Sequence, residues 1–397
     1  MGTPASGIVE RRDLSTLPKV HLHLHLIGSM RPRTLADLAR RNGERLPAEL
    51  SALTCRVASP STASLTGSCA QDDLWPTAAP AEADVRGFAR FDAFYVAAKR
   101  QVRGIDDLAR LVLELATDEA VAGSRWVEVT ANPALYQGRL GPDEAVLEGL
   151  LDAGAVAAAS TGVGVGWVIS ADRRFPDDAA ALAKLGVRYR EHGVVGFGLA
   201  NDEAANPSGA FGHAFDVARD GGLLAVPHAG ELTDARDVWQ AVDRLGATRI
   251  GHGIRAVDDP RLLDRLVDQD VCLEVCPASN VALGAIDHLA DHPLPQLRAA
   301  GCAVTLAADD PLLFGAGLTD QYRIARRVFG FDDGELAELA RCGIRAAGCP
   351  DQLRRDLLGD VDAWLARDAE PNSYRPLIAA TSDDTWADRI GLHRALG

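Results

Sequence analysis

Eight short apolar runs recur along the 397 residues, separated by segments of helical periodicity, and they restrict the possible folds more than any other feature. The runs are KVHLHLHL (19–26), RWVEVTA (125–131), GVGVGWVIS (162–170), GVVGFGLA (193–200), GLLAVPHA (222–229), TRIGHG (248–253), VCLEVCP (271–277) and CAVTLAAD (302–309). Most are apolar nearly throughout, the pattern of strands buried on both faces. Between them, IDDLARLVLELATDEAVAG and DDPRLLDRLVDQ place apolar residues three and four apart, as one-sided helices do. Strands alternating with helices pair in parallel, and eight such units over this length predict an α/β chain folded as a (β/α)8 TIM barrel.

One connection breaks the rhythm. Residues 51–85 are rich in Ser, Thr, Ala and Pro, which predicts a loop or lid insertion after the first strand, within a lid region of about 45–105. Next, GFARFDAFYVAAKR (87–100) reads as a helix with Phe88, Phe91 and Tyr95 on one side. That stripe is either core packing or a wall over the barrel mouth. Helices continue past residue 350 as a C-terminal extension to 397. The expectation is a single domain, 1–397, with the barrel core at about 15–350.

The bulk numbers narrow the partners. With 41 basic against 56 acidic residues the chain carries −15, which argues against a nucleic-acid backbone as ligand. No apolar run reaches the roughly 18–20 residues that span a bilayer, and the first sixteen residues lack the apolar segment of a signal peptide. Seven scattered cysteines, at 55, 69, 272, 276, 302, 342 and 349, suit a reducing cytoplasm, where the protein is expected. Cys272 and Cys276 read as core residues.

Chemistry is expected where a barrel concentrates it, at the C-terminal ends of the strands. The first run alternates, so His21, His23 and His25 share one face, with neighbouring imidazoles about 6–7 Å apart along the strand. Strand 5 ends in HAGE (His228, Glu231), strand 6 in GHG (His252) and strand 8 in ADDP (Asp309, Asp310). Two imidazoles from strand 1, one from strand 5 and a carboxylate from strand 8 form a nitrogen–oxygen donor set for one divalent ion. Such a set suits zinc, with iron, cobalt or manganese as alternatives. The bridging lysine of a two-metal barrel is absent from the ends of strands 3 and 4, so one metal is expected. His21 lies deeper on the same face and reads as a packed or supporting group.

The run LHLHLIGS, followed in order by HAGE, RIGHG, CPASN, HP and ADDP, resembles the adenosine deaminase family of the amidohydrolase superfamily over residues 15–350. The HxE and PCxxC signature of cytidine-deaminase-type zinc enzymes does not occur. The resemblance implies Zn2+, one per chain, held by His23, His25, His228 and Asp309. His252 would orient the attacking water and, with Asp309, help take its proton. Glu231 would protonate the purine at N1, for which its pKa must be raised, and Asp310 would hydrogen-bond N7. The expected reaction is hydrolysis of adenosine or 2′-deoxyadenosine to the inosine product and ammonia, without an organic cofactor. CPASN and His292-Pro293 are expected as turns that shape the site.

Three positions depart from the family, one being Ala308, where Thr or Ser often precedes the aspartates. Ile27 stands where adenosine-specific members carry an acidic residue for the ribose 5′-hydroxyl. Asn201, in LANDE, replaces a glycine whose backbone N–H meets the purine. Asp310, Asn201, Ile27, Phe88 and Phe91 are therefore the candidate substrate contacts. The alternatives are deamination of a 5′-modified adenosine such as 6-aminodeoxyfutalosine, deamination of adenine, or, outside enzymes, a catalytically silent purine-binding protein of this fold.

Overall fold

A computed structural model of the chain describes residues 12–55, 87–136 and 138–367. The eight runs form β1 (Lys19–His25), β2 (Ser124–Ala131), β3 (Gly164–Asp172), β4 (Val194–Ala200), β5 (Leu224–Ala229), β6 (Arg249–His252), β7 (Cys272–Val275) and β8 (Val304–Leu306). They pair in parallel in chain order. The ladder returns to its start where Leu24 bridges Asp309: the His25 N–H donates to Asp309 O at 3.0 Å, and the Asp309 N–H to His23 O at 3.1 Å. With helices outside, this is the expected (β/α)8 barrel, nearly closed.

Local sequence explains the elements. Helix Ile105–Val121 buries Leu108, Leu111, Val112 and Leu115, one stripe at three- and four-residue spacing. Each such side chain contributes about 1.5–3 kcal/mol against exposure. Helix Pro260–Asp268 starts with Pro260 at a position that needs no N–H donor, and Asp259 caps it by accepting from the Arg261 N–H.

The differences from the expected boundaries have local causes. β8 covers only the middle of the run 302–309, because the chain turns inward after Leu306 and Asp309 adopts φ +63°. β3 extends past residue 170 to Asp172 and carries that carboxylate to the barrel rim. Residues 51–55, expected in a loop, close the helix Ala48–Cys55; the rest of the proposed lid insertion lies outside the described residues. The expected helix at 87–100 is Phe88–Lys99. It is pinned over the mouth by the Gly87 N–H on Leu283 O (3.1 Å) and by Phe91 stacked on Phe314 at 5.3 Å. The C-terminal extension is described as far as helix Asp351–Ala366. No helix among the described residues is long and apolar enough to cross a membrane.

Candidate active site

β1 alternates, so its histidines project inward in register. His23 is buried, and neither of its ring nitrogens has a hydrogen-bond partner. Its Nε2 lies 3.4 Å from Asp309 Oδ1 and its Nδ1 lies 3.5 Å from Glu274 Oε2. His25 Nε2 is 3.2 Å from the same Asp309 oxygen. The His228 ring sits 4.4 Å from that of His23 and 5.3 Å from that of His25. Four predicted ligands therefore crowd around one point at the mouth. A buried imidazole with two idle nitrogens is costly unless something takes its lone pair.

Charge makes the same case for a cation. Burial opposes a charged His23, but Asp309 and Glu274 outweigh it and push its pKa up to about 10. The carboxylates thus hold a positive charge at the point where a metal would sit. His228 is driven well below its usual value by burial and then by the neighbouring imidazoles, which keeps it neutral, as a ligand must be. Cys276 also approaches His23 and Asp309, but burial raises its thiol well above the usual value, so it offers no thiolate. The residues present fit a borderline divalent cation held by nitrogen and oxygen.

Next to this cluster is a relay that begins at the backbone. The Leu294 N–H donates to His292 Nδ1 (3.1 Å), so the His292 proton sits on Nε2, which donates to Asn280 Oδ1 at 3.1 Å. The Asn280 amide then donates to Glu231 Oε1 (3.0 Å) and faces His252 Nδ1 at 3.2 Å. His252 is pushed down to about 3, by burial first and by His23 next, and is neutral. With Nδ1 accepting, its proton lies on Nε2, 3.3 Å from Glu231 Oε2. Glu231 is raised well above the usual carboxyl range by burial, then by Asp309 and Glu203, and stays protonated.

Asp310 is also raised far above its usual value, by burial and by the charge of Asp309, and its Oδ1 has no partner. Glycine at 28 makes room for it: a Cβ there would lie 1.8 Å from Asp310 Oδ1. Gly251 plays the same part under the imidazoles, since a Cβ would meet His228 Cδ2 at 2.7 Å. Among the described residues four non-glycines have positive φ, and three of them, Asn201, His252 and Asp309, follow or end strands at this mouth. Strain of about 1–3 kcal/mol per residue gathers where function fixes the backbone.

Sequence reading did not find the groups that hold these residues. Ser279, read as a turn former, donates to Asp309 Oδ2 at 2.6 Å. Asn280, read the same way, is the hub of the relay. Glu203 accepts from the N–H groups of Glu231, Leu232 and Thr233 and from the Thr233 hydroxyl, which fixes the loop carrying Glu231. Arg173 donates to His228 O at 2.7 Å and is braced by Asp237 at 2.8 Å. Buried Arg249 bridges Glu128 and Glu274, and so aims Glu274 at His23. His21, expected in support, donates from Nδ1 to Glu119 (2.8 Å) and accepts the Ala308 N–H at Nε2 (2.9 Å). The available signal was a polar residue inside an apolar run, as in Glu274 and Arg249.

The cluster opens into a cleft at the barrel mouth. Phe88, Phe91, Asn201 and Asp310 line it. Ile27 does not. It is 1% exposed and packs in the apolar core with Leu24, Leu26 and Met30. Polar wall groups come instead from Asn132, Asp172 and Asp92. Asp172 is clamped by Arg174 (2.7 and 3.0 Å) and accepts from Asn201 Nδ2 at 2.9 Å.

Comparison with known proteins gives a consistent picture. The family model described as adenosine deaminase matches residues 18–65 and 72–364. A Streptomyces coelicolor protein, provisionally named an adenosine/adenine deaminase, is 47% identical over 355 residues, which cover 89% of this chain and 98% of that one. The aminodeoxyfutalosine deaminase of the same organism is 33% identical, over 89% of this chain and 87% of its own. The crystal structure of adenine deaminase from Arthrobacter aurescens superposes with a TM-score of 0.76 at 29% identity, covering 88% of this chain and 99% of that chain.

Proposed function

The chain belongs to the adenosine deaminase family and is a hydrolytic deaminase; from that premise we propose that it removes the 6-amino group of a purine nucleoside, with zinc as its metal and with adenosine and 2′-deoxyadenosine as the simplest substrates. The observation that carries this reading is the convergence of His23, His25, His228 and Asp309 beside a protonated Glu231. Those four residues would hold the ion, which when bound supplies Lewis acidity that makes hydroxide available from water near neutral pH.

The remaining steps belong to the chain. Glu231 donates its proton to N1, so that electron density from attack at C6 is drawn into the ring. Its burial serves this role, because an ionised carboxylate could not donate. His252 presents Nε2–H to the cavity and orients the incoming oxygen. Asp309, held well below its usual range despite burial by His23 and His25, is the charged acceptor for the water proton. Asp310, protonated, donates to N7, a ring acceptor. The Asn201 backbone N–H would meet the purine ring. Water adds at C6, ammonia leaves, and a 6-oxopurine remains.

A second reading, a nucleoside modified at its 5′ position, is supported by the 33% identity to an aminodeoxyfutalosine deaminase. Protein loaded with one equivalent of zinc should release ammonia from adenosine in step with the appearance of inosine. No ammonia from adenosine, 2′-deoxyadenosine, adenine or a 5′-substituted adenosine would overturn the assignment.

A further inference from the structure

An amide side chain can turn either its oxygen or its nitrogen to a neighbour, and at Asn280 that choice decides two other groups. Asn280 is fully buried on the helix Pro277–Ala282. Its nitrogen meets Glu231 and His252, and its oxygen meets His292. Glu231 and His252 are ambiguous in the same way: a carboxylic acid holds its proton on one oxygen, and a neutral imidazole on one nitrogen. The proposed reaction needs one particular arrangement of both.

The backbone removes the ambiguity. Leu294 opens the helix Leu294–Ala299, so its N–H has no partner within that helix. His292 supplies one: its Nδ1 accepts that N–H at 3.1 Å, and burial pushes its pKa down to about 3, which keeps the ring neutral. A peptide N–H can only donate, so the single His292 proton lies on Nε2 and goes to Asn280 Oδ1 at 3.1 Å. The two amide hydrogens of Asn280 are thereby committed to Glu231 Oε1 (3.0 Å) and His252 Nδ1 (3.2 Å). Both accepting atoms carry no proton of their own, so the Glu231 proton rests on Oε2 and the His252 proton on Nε2. With the amide turned over, its oxygen would draw the Glu231 proton away from the purine and the His252 proton onto Nδ1. That state would also set the amide nitrogen against His292 Nε2–H, two donors face to face in a buried site.

We infer that His292 is a positioning residue for the deamination: by donating to the Asn280 oxygen it holds the amide in the one orientation that leaves Glu231 its transferable proton and His252 its Nε2–H. The inference rests on the reaction proposed above and names what sets the polarity of its acid and of its water-orienting group. His292 itself touches neither of them; it acts through Asn280 alone.

The test reads histidine tautomers by nitrogen NMR on the zinc-loaded full chain labelled with 15N-histidine, with the two signals identified by their loss in H252Q and H292F. In the parent protein both His252 and His292 should carry the proton on Nε2. A proton on Nδ1 of either ring overturns the inference before any variant is compared. H292F keeps a ring beside Phe329 (5.9 Å) but has nothing to donate. In it His252 should shift towards the Nδ1–H tautomer, and kcat should fall about 10- to 100-fold, with KM and bound metal near those of the parent. H292Q, whose amide nitrogen reaches about as far as Nε2, should restore the tautomer and most of kcat. An unmoved tautomer or an unmoved kcat in folded H292F overturns the role, as does a failure of H292Q to recover both. Should H292F not fold, the parent spectrum and the tautomer in H292Q still decide. A switched tautomer in a chain that deaminates no purine offered to it would uphold the positioning and overturn the reaction.

Discussion

Gly28 and Asp310 occupy space that only a glycine permits: the Asp310 carboxyl oxygen lies 1.8 Å from where a Cβ on residue 28 would be. The Gly28 carbonyl also accepts the Leu312 N–H at 2.7 Å, so the two segments cannot separate cheaply. Gly28→Ala is therefore expected to displace Asp310, raise KM and cost about 1–3 kcal/mol of stability, as overpacking does. Urea unfolding with steady-state kinetics checks both, and a variant with native kinetics would remove Asp310 from the substrate contacts.

The relay through Asn280 predicts an effect on chemistry without loss of metal. Asn280→Leu keeps the volume but breaks the donations to Glu231 and His252. Turnover should fall about 10- to 100-fold, the usual range for groups that orient a site. Bound metal, measured by elemental analysis, should remain near one per chain.

Glu231→Gln removes the transferable proton and keeps the shape. Activity should drop about 100-fold or more while metal content is unchanged. An active variant would end the assignment of Glu231 as the acid.

Lys19 gives a pH dependence of stability. Its ammonium donates to Leu14 O (2.7 Å) and Leu17 O (2.8 Å), yet burial lowers its pKa from 10.5 to about 7, against the opposing charges of Glu119 and Asp13. Between pH 7 and 10.5 the unfolded chain holds this proton and the folded chain does not, so this group makes stability rise with pH across that window. Below pH 7 both states are protonated and the penalty is constant. Urea unfolding at fixed metal from pH 7 to 9 should show a shallower slope in Lys19→Met than in the parent; equal slopes would place the lysine pKa elsewhere.

Ile27→Asp separates the sequence expectation from the observed packing. Installing the family's acidic residue should not improve adenosine turnover, because Ile27 is buried in the apolar core and does not line the cleft. It should instead destabilise the fold by roughly 3–5 kcal/mol, the cost of an uncompensated buried charge. A gain in kcat/KM on adenosine would mean that the segment turns towards the substrate.

The barrel and the meeting of the candidate ligands at its mouth were legible in the chain itself because both depend on local signals. Apolar runs alternating with amphipathic segments dictate parallel strands, and period two puts His23 and His25 on one face whatever surrounds them. Strand ends in a closed barrel must meet, so His228, His252 and Asp309 could be placed beside them from order alone. What tertiary structure alone decided is how each of these groups is held and charged. Asn280 reaches Glu231 across 49 residues, Ser279 reaches Asp309 across 30, and Glu203 caps a loop 28 residues away. No periodicity encodes such partners, since a hydrogen bond is set by distance in space and residues 203 and 279 read locally as ordinary turns. Ile27 marks the same limit: the chain shows an apolar side chain at a ligand-binding position, but only the packed core shows that it faces away.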